Sequence, residues 1–211
     1  MDMQRWCAAA LCLALCGMVP AFSQMPKGHT QGQMVPAALV PRYLLMDSRG
    51  RAVTNEDFRG SFQLVTFGYT SCPDVCPTTL LEMKEILAAL GDKAERLRPI
   101  FITVDPERDS AEVLREYTGA FHPRILGLRG SPDLVRRAAD SFKVRYEKIR
   151  APGAPPSSYT VDHSAGMYLL GPDGRLLVKF AYATPSAEVA GRIRVLMNET
   201  VLPLPARRDL R

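Results

Sequence analysis

The sequence predicts an α/β or α+β sandwich in which helices cover a mixed central sheet. Strand-like and helix-like segments alternate through the first half of the domain, and a hairpin followed by a helix closes it. Of the 211 residues, 46% are hydrophobic and 23% are charged, as in soluble globular proteins. These proportions exclude a disordered chain, a collagen-like fibre and a polytopic membrane protein.

The first elements are predicted from turn residues and hydrophobic periodicity. Residues 43–46 and 52–54 flank the turn sequence Asp-Ser-Arg-Gly, which predicts a hairpin. Residues 62–67, four of which are large apolar residues, predict a buried strand. Residues 77–90 repeat apolar side chains at helical spacing, and Gly91 marks the end of that helix.

The same criteria predict the rest of the domain. The predicted elements are strands at 99–104, 124–128 and 144–149, helices at 110–117 and 131–142, a Pro-Gly-Ser loop at 151–158, a hairpin of 166–170 with 176–180, and a last helix at 185–197. Ser110 is expected to cap its helix, and Pro132 occupies the first position of the next one.

The amino-terminal segment has the features of an export signal. Arg5 precedes an apolar run over 6–19, and residues 21–23 form a small-x-small cleavage site. The run is shorter than the roughly 20 residues that span a bilayer, although counting through residue 22 lengthens it and leaves an uncleaved anchor open. We expect a signal at 1–23, a linker at 24–40, the domain at 41–198 and a tail at 199–211. The protein is then exported to the bacterial periplasm, soluble or tethered to the inner membrane.

The net charge of +5 does not indicate a nucleic-acid partner. Basic residues are scattered along the chain; Arg136-Arg137 and Arg207-Arg208 are adjacent pairs, and neither is interleaved with aromatic residues. Export also separates the protein from nucleic acid. We therefore predict no nucleic-acid binding, and the basic surface better suits an acidic partner or anionic lipid headgroups.

Two of the five cysteines lie in the predicted domain, and they are the main candidates for a functional site. Cys7, Cys12 and Cys16 belong to the predicted signal, whereas Cys72 and Cys76 lie between a predicted strand and helix. One helical turn of separation places both sulfurs on one face, and amide N–H groups at the helix start lower thiol pKa values. The pair is able to close a disulfide or to bind a soft metal ion. A structural disulfide across so short a loop adds little stability.

The donor set favours copper over zinc as the metal. Structural zinc requires four protein ligands, whereas Cu(I) accepts two thiolates and one imidazole. Of the three histidines, His29 falls in the linker and His122 at a loop or helix end, whereas His163 precedes the last hairpin. With this strand order, the turn at His163 falls beside the end of the strand at 62–67, next to the thiols. We therefore favour His163 as the third ligand.

Four blocks of sequence together resemble the Sco/SenC family. These blocks are residues 67–80 around the cysteine pair, 101–109, 121–131, and 161–164 with 168–170. They occur in the order of the family, and the resemblance extends over roughly 43–196. It implies a thioredoxin-like fold with an additional N-terminal hairpin.

The resemblance also implies a ligand set and a role. It implies that Cys72, Cys76 and His163 bind copper, as Cu(I) or Cu(II), and that the protein helps to assemble the binuclear copper centre of cytochrome c oxidase. The implied partner is the copper-accepting oxidase subunit, with a second copper chaperone or a thioredoxin-like reductant as further partners. Membrane association stays open.

Two alternatives remain at this point. The first is a thiol–disulfide oxidoreductase that uses Cys72 and Cys76 as a redox pair, although thioredoxins have two residues between their cysteines and this chain has three. A thiol peroxidase or redox sensor is less consistent with the chain, since no suitable arginine and threonine are found.

The acids Asp74 and Asp105 to Asp109 allow two interpretations. They orient the site or meet a partner, or they are solvated loop residues that cap helices.

Overall fold

The structure, a computed structural model, describes residues 33–34 and 39–200. The predicted signal with Cys7, Cys12 and Cys16, the linker histidine His29, most of the linker and nearly all of the tail lie outside these residues. The domain boundaries of the sequence analysis therefore stay predictions.

The described chain contains strands, α-helices and two short 3-10 helices. The strands are β1 (Gln33–Met34), β2 (Leu44–Asp47), β3 (Ala52–Thr54), β4 (Phe62–Gly68), β5 (Leu97–Thr103), β6 (Leu126–Arg129), β7 (Tyr146–Ile149), β8 (Thr160–His163), β9 (Met167–Leu170) and β10 (Leu176–Phe180). The helices are α1 (Val75–Leu90), α2 (Ala111–Phe121), α3 (Pro132–Phe142) and α4 (Ser186–Glu199), and the 3-10 helices are Asn55–Phe58 and Gly91–Arg96.

Eight strands form one mixed sheet, in the order β1-β10-β9-β4-β5-β6-β2-β3. β4, β5 and β6 are parallel, and all other neighbours in this sheet pair antiparallel. β7 and β8 pair only with each other and form a separate two-stranded sheet, which we call the ribbon. The predicted mixed central sheet is thus confirmed.

Helices cover both faces of the sheet. Phe101 of β5 contacts Tyr117 of α2 on one face, where α1 packs against α2 and α4. Phe67 of β4 points the opposite way and meets Phe142 of α3, because successive side chains of a strand alternate between faces. All seven residues of β4 are buried, which explains why its sequence is nearly continuous in apolar residues.

Most predicted elements are confirmed; the differences lie in α2, in the ribbon and in β1, a two-residue strand that pairs with β10 inside the segment predicted as a linker. α2 continues to Phe121, one turn beyond the predicted end, and its Ser110 cap accepts the Val113 N–H as expected. The strand predicted at 144–149 belongs to the ribbon and not to the central sheet. Its partner β8 was not predicted, because only one of its four residues is buried and it lacks an apolar pattern.

Three chain segments meet at one edge of the sheet. The loop after β4 and the loop after β5 leave the carboxyl ends of adjacent parallel strands. β9 runs antiparallel to β4 and begins opposite Thr66, so the connection from β8 to β9 arrives at the same edge. In the described part of the chain, no helix has both the length and the apolar character needed to cross a membrane.

Candidate metal centre

The first part of the site is the loop that joins β4 to α1. It carries Cys72 and ends at Asp74, and Cys76 lies in the first turn of α1. The Cys72 N–H donates to the Tyr69 carbonyl at 3.2 Å, which closes a tight turn before the helix. Cys72 is half-buried, whereas Cys76 is only 2% exposed.

Gly68 allows the helix to approach the strand end closely. A Cβ atom at this position would lie 2.7 Å from Cys76 Sγ and 2.8 Å from the Phe101 ring, closer than real Cβ atoms approach such groups. The glycine of the motif is therefore required by packing, since any side chain would push the Cys76 sulfur out of place.

The two thiols have opposite electrostatic environments. Partial burial raises the pKa of Cys72, but its sulfur also accepts backbone N–H bonds from Asp74, Val75 and Cys76, and the net pKa lies below the ordinary value. Burial raises the pKa of the Cys76 thiol, and the neighbouring Cys72 charge raises it further. The expectation that the helix start lowers both pKa values is thus wrong for Cys76, because desolvation outweighs its amide contact.

His163, the last residue of β8, presents one ring nitrogen to the thiols. Its Nε2 lies 3.6 Å from Cys76 Sγ, and its Nδ1 lies 3.2 Å from the Ser164 carbonyl oxygen. Because a carbonyl only accepts, Nδ1 carries the proton and Nε2 is left with a free lone pair toward the sulfurs. Burial lowers the pKa of His163, which favours the neutral imidazole that a metal requires.

The ligand atoms of Cys72, Cys76 and His163 all lie within 4.8 Å of one another. Within the described residues, this is the one group of three or more such side chains compact enough to hold a metal ion. The structure therefore brings together the three residues selected from the sequence, and their role as metal ligands stays a prediction. Both cysteines are free thiols.

His122 lies apart from this group, at the carboxyl end of α2. It is the C-cap residue of the helix, and its Nδ1 accepts the Arg124 N–H at 3.1 Å. Burial and the Arg124 charge lower its pKa. This position agrees with the interpretation of His122 as a helix-end residue.

The acids near the site divide into two classes. Asp74 is exposed and its side chain makes no capping bond, as expected for a solvated residue. Asp105 and Asp109 are fully buried, so the interpretation of these two as solvated acids is wrong.

Asp109 ties the cysteine loop to the core. Its carboxylate accepts the Thr70 N–H at 3.1 Å, the Thr70 hydroxyl at 2.6 Å and the Thr103 hydroxyl at 2.5 Å. Thr70 lies two residues before Cys72, and Thr103 ends β5. Asp109 therefore orients the loop that presents the thiol.

Sequence reasoning missed Arg108 and Tyr159 near the site. Both contact Asp105, and Arg108 lies against the rings of Tyr69 and Tyr159. The i,i+3 spacing of Asp105 and Arg108 was a usable signal for their ion pair. No local pattern pointed to Tyr159, which is 54 residues from Asp105.

A family model described as SCO1/SenC matches residues 31–198 of the chain. The human protein named "Protein SCO2 homolog, mitochondrial" is 40% identical over 152 residues, which cover 71% of this chain and 56% of the human one. This chain thus matches little more than half the length of that relative.

Solved structures are similar as well. The copper-bound structure of Bradyrhizobium japonicum ScoI is 37% identical with a TM-score of 0.68, covering 75% of this chain and 99% of that one. BsSco, a member of the Sco family of cytochrome c oxidase assembly proteins in which a disulfide switch has been identified, has a structure that is 25% identical with a TM-score of 0.58, covering 76% of this chain and 94% of that one. The predicted thioredoxin-like α/β fold with its N-terminal hairpin is confirmed by these similarities and by the strand order.

Proposed function

The chain belongs to the SCO1/SenC family, and from this membership we propose that it binds copper through Cys72, Cys76 and His163 and delivers it during cytochrome c oxidase assembly. The observation that carries the proposal is the convergence of two thiols and one imidazole within 4.8 Å. The copper-bound Bradyrhizobium structure supports the choice of metal, and the similarity to BsSco, a member of a family of cytochrome c oxidase assembly proteins, supports the oxidase. The acceptor is the binuclear copper site of the oxidase.

The donor set is suited to copper as a transported ion. Thiolates and imidazole are soft or intermediate donors, which copper prefers over the carboxylates that hold magnesium or calcium. Ligand atoms around one ion at about 2.0–2.3 Å lie roughly 3.5–4 Å from one another. A separation of at most 4.8 Å thus requires only a small inward movement on loading.

Delivery follows from the unequal exposure of the ligands. Cys72 is half-buried on a loop, whereas Cys76 is buried with its sulfur close to Gly68. Ligands of an acceptor therefore reach the ion first from the Cys72 side. We expect that they displace Cys72 first, and that Cys76 is released last.

Substitution of the ligands tests this function. The Cys72→Ser, Cys76→Ser double variant is expected to lose tight copper binding, because a serine hydroxyl remains protonated and is a poor ligand for Cu(I). His163→Ala is expected to lower the affinity by at least about tenfold, since changes even outside the ligand shell cost 10- to 100-fold at metal sites. Affinity is measured by competition with a Cu(I) chelator.

The matched control is His122→Ala, which removes a histidine outside the cluster and should leave copper affinity unchanged. Full affinity in the double cysteine variant would overturn the proposed function.

A second function, thiol–disulfide exchange, is favoured by the lowered pKa and partial exposure of Cys72. The Cys72 thiolate would attack an acceptor disulfide and release one acceptor thiolate. Cys76 would then attack the mixed disulfide, release the second acceptor thiolate and leave a Cys72–Cys76 disulfide. The acceptor gains two electrons, and an external thiol reductant resets the pair.

Stoichiometry and reductase activity distinguish the two functions. The reduced protein is titrated with copper and also assayed for insulin reduction. One copper per chain with negligible reductase activity supports delivery, and rapid insulin reduction without stable copper binding supports exchange. The oxidised protein should bind no copper, because a disulfide offers no thiolate.

The proposed location is the bacterial periplasm. The features of residues 1–23 support export, either with cleavage after Ser23 or with retention as an anchor. Intact mass spectrometry of the exported protein distinguishes these forms. A second copper chaperone or a thioredoxin-like reductant is proposed as an additional partner. Co-purification with copper tests the chaperone, and thiol exchange tests the reductant.

A further inference from the structure

The three proposed ligands belong to two different parts of the fold. Cys72 and Cys76 are attached to the central sheet and α1, whereas His163 ends the ribbon. The ribbon strands pair only with each other. Because an isolated two-stranded hairpin is marginally stable in water, contacts other than strand pairing must hold His163 against the thiols.

Val161 of β8 packs in the core, and Tyr159, the residue before β8, makes further contacts of this kind. Its hydroxyl donates to Asp105 Oδ1 at 2.8 Å, and its carbonyl accepts from Arg108 Nη1 at 3.0 Å. The Arg108 guanidinium carbon also lies 3.9 Å from the centre of the Tyr159 ring. We call Asp105, Arg108 and Tyr159 the ribbon latch.

The core side of the latch is buried and charged. Asp105 is fully buried and forms an ion pair with Arg108, and its N–H donates to the Thr103 hydroxyl at 3.0 Å. A buried carboxylate is costly unless it accepts enough hydrogen bonds. The Tyr159 hydroxyl supplies one of these bonds, so the buried charge holds the tyrosine in place.

Tyr69 lies between the latch and the His163 imidazole and contacts both. The Arg108 guanidinium carbon lies 5.6 Å from the Tyr69 ring centre, and the Tyr69 ring meets His163 edge to face at 6.1 Å. Tyr69 is also the first residue of the loop that carries Cys72. The latch therefore fixes both the chain before His163 and one side of its ring.

A neighbouring ion pair adds little to this arrangement. Lys148 of β7 contacts Glu107 at 2.7 Å, but both side chains are solvent-exposed. Such pairs contribute at most about 1 kcal/mol. The hydrogen bonds of Tyr159 are partly buried and end on a fully buried carboxylate, so they are the stronger attachment.

We propose that the ribbon latch is a positioning device for copper binding: it holds the ribbon so that His163 Nε2 faces the Cys72–Cys76 pair. The proposal rests on the proposed function. Tyr159, Arg108 and Asp105 do not contact the ion, and they act only through the position of His163.

Tyr159→Phe tests the latch with the smallest change, because it removes the hydroxyl bond to Asp105 and keeps the ring beneath Arg108. Copper affinity is expected to fall about tenfold, the lower end of effects reported for residues outside the ligand shell. In the Cu(II)-loaded protein, the nitrogen hyperfine coupling from imidazole should weaken in electron paramagnetic resonance spectra. The matched control is Tyr146→Phe on the same ribbon, where the ring packs beneath Arg136 and is not part of the latch.

A double-variant comparison separates positioning from general destabilisation. If the latch acts through His163, Tyr159→Phe should change copper affinity less than about twofold in a His163→Ala background. An equal loss in both backgrounds would overturn the proposal. Unchanged affinity and nitrogen coupling in Tyr159→Phe alone would overturn it as well.

Amide hydrogen exchange of the metal-free protein provides a readout that is independent of copper. In Tyr159→Phe, and separately in Arg108→Lys, the Asp162 and Ser164 amides, which face β7 in the ribbon, should exchange about tenfold faster, while the amides of β4 stay unchanged. Loss of copper binding in the parent protein would contradict the proposed function, whereas unchanged ribbon exchange in both variants would contradict the latch.

Discussion

Asp74 and Asp109 show how burial decides the role of a residue near the site. Both are acids within a few residues of helix starts, and the sequence pattern does not distinguish them. Asp74 is exposed, whereas Asp109 is 0% exposed and holds the loop of Cys72 through Thr70. A buried carboxylate with three donors is a structural element of the site.

Asp109→Asn is expected to lower the free energy of unfolding by about 1–3 kcal/mol, because an amide cannot accept all three bonds and leaves a buried donor unpaired. Urea unfolding of the metal-free protein measures this change. The matched control is Asp74→Asn, which should lie within about 0.5 kcal/mol of the parent, as exposed substitutions do. Equal stabilities of the two variants would contradict the role assigned to Asp109.

The hairpin of β2 and β3 is the element that extends the sheet beyond β6. β2 pairs with β6 through Met46 and Asp47, and β3 is the outermost strand on this side of the sheet. Asp47 is only 2% exposed and accepts the N–H groups of Arg49 and Arg51 at 2.8 and 3.0 Å. Its carboxylate also pairs with the Arg51 side chain at 2.7 Å. One side chain thus specifies the turn.

This element should make the stability of the protein pH-dependent. Burial by itself raises the pKa of Asp47, but the Arg51 and Arg49 bonds outweigh it and hold the pKa below its usual range. The unfolded chain therefore binds a proton more readily than the folded one. The contribution of Asp47 is fully present above the unfolded value of about 4 and is lost as pH falls through the folded pKa.

Asp47→Asn is accordingly expected to cost about 1–3 kcal/mol at pH 7 and progressively less as the pH is lowered toward 3. Urea titrations at several pH values measure the difference from the parent. A difference that stays constant over this range would contradict the assigned ion pair.

At the scale of the whole molecule, the proposed copper ion connects the core to the ribbon. Two ligands belong to the central sheet and α1, and the third belongs to a separate two-stranded sheet. An unfolded chain does not keep these three atoms together. Binding should therefore favour the folded state and restrain the ribbon at the same time.

Loading with copper at a free concentration of about 100 times the dissociation constant is expected to raise the free energy of unfolding by about 2.7 kcal/mol. Urea unfolding with buffered Cu(I) measures the increase. The same concentration should leave the Cys72→Ser, Cys76→Ser variant unchanged, and an equal increase in that variant would indicate binding elsewhere.

Much of the fold was predictable because its elements are determined by local patterns. The apolar run of β4, the helical spacing of α1 and the serine and proline at the start of α3 depend on neighbouring residues. β8 was missed because it is mostly exposed and is stabilised by pairing with β7 and by contacts to a distant loop. Tertiary contacts override weak local propensity at such places.

For the site, the sequence by itself determined the kinds of ligand: two thiols one helical turn apart, and one histidine before the last hairpin. Only the tertiary structure decided that His163 Nε2 lies 3.6 Å from Cys76, that Cys72 and Cys76 differ in pKa direction, and that Tyr159 is tied to Asp105. The physical reason is that ligand chemistry is a property of each side chain. Distance and desolvation depend on strand pairing and burial between residues far apart in the chain.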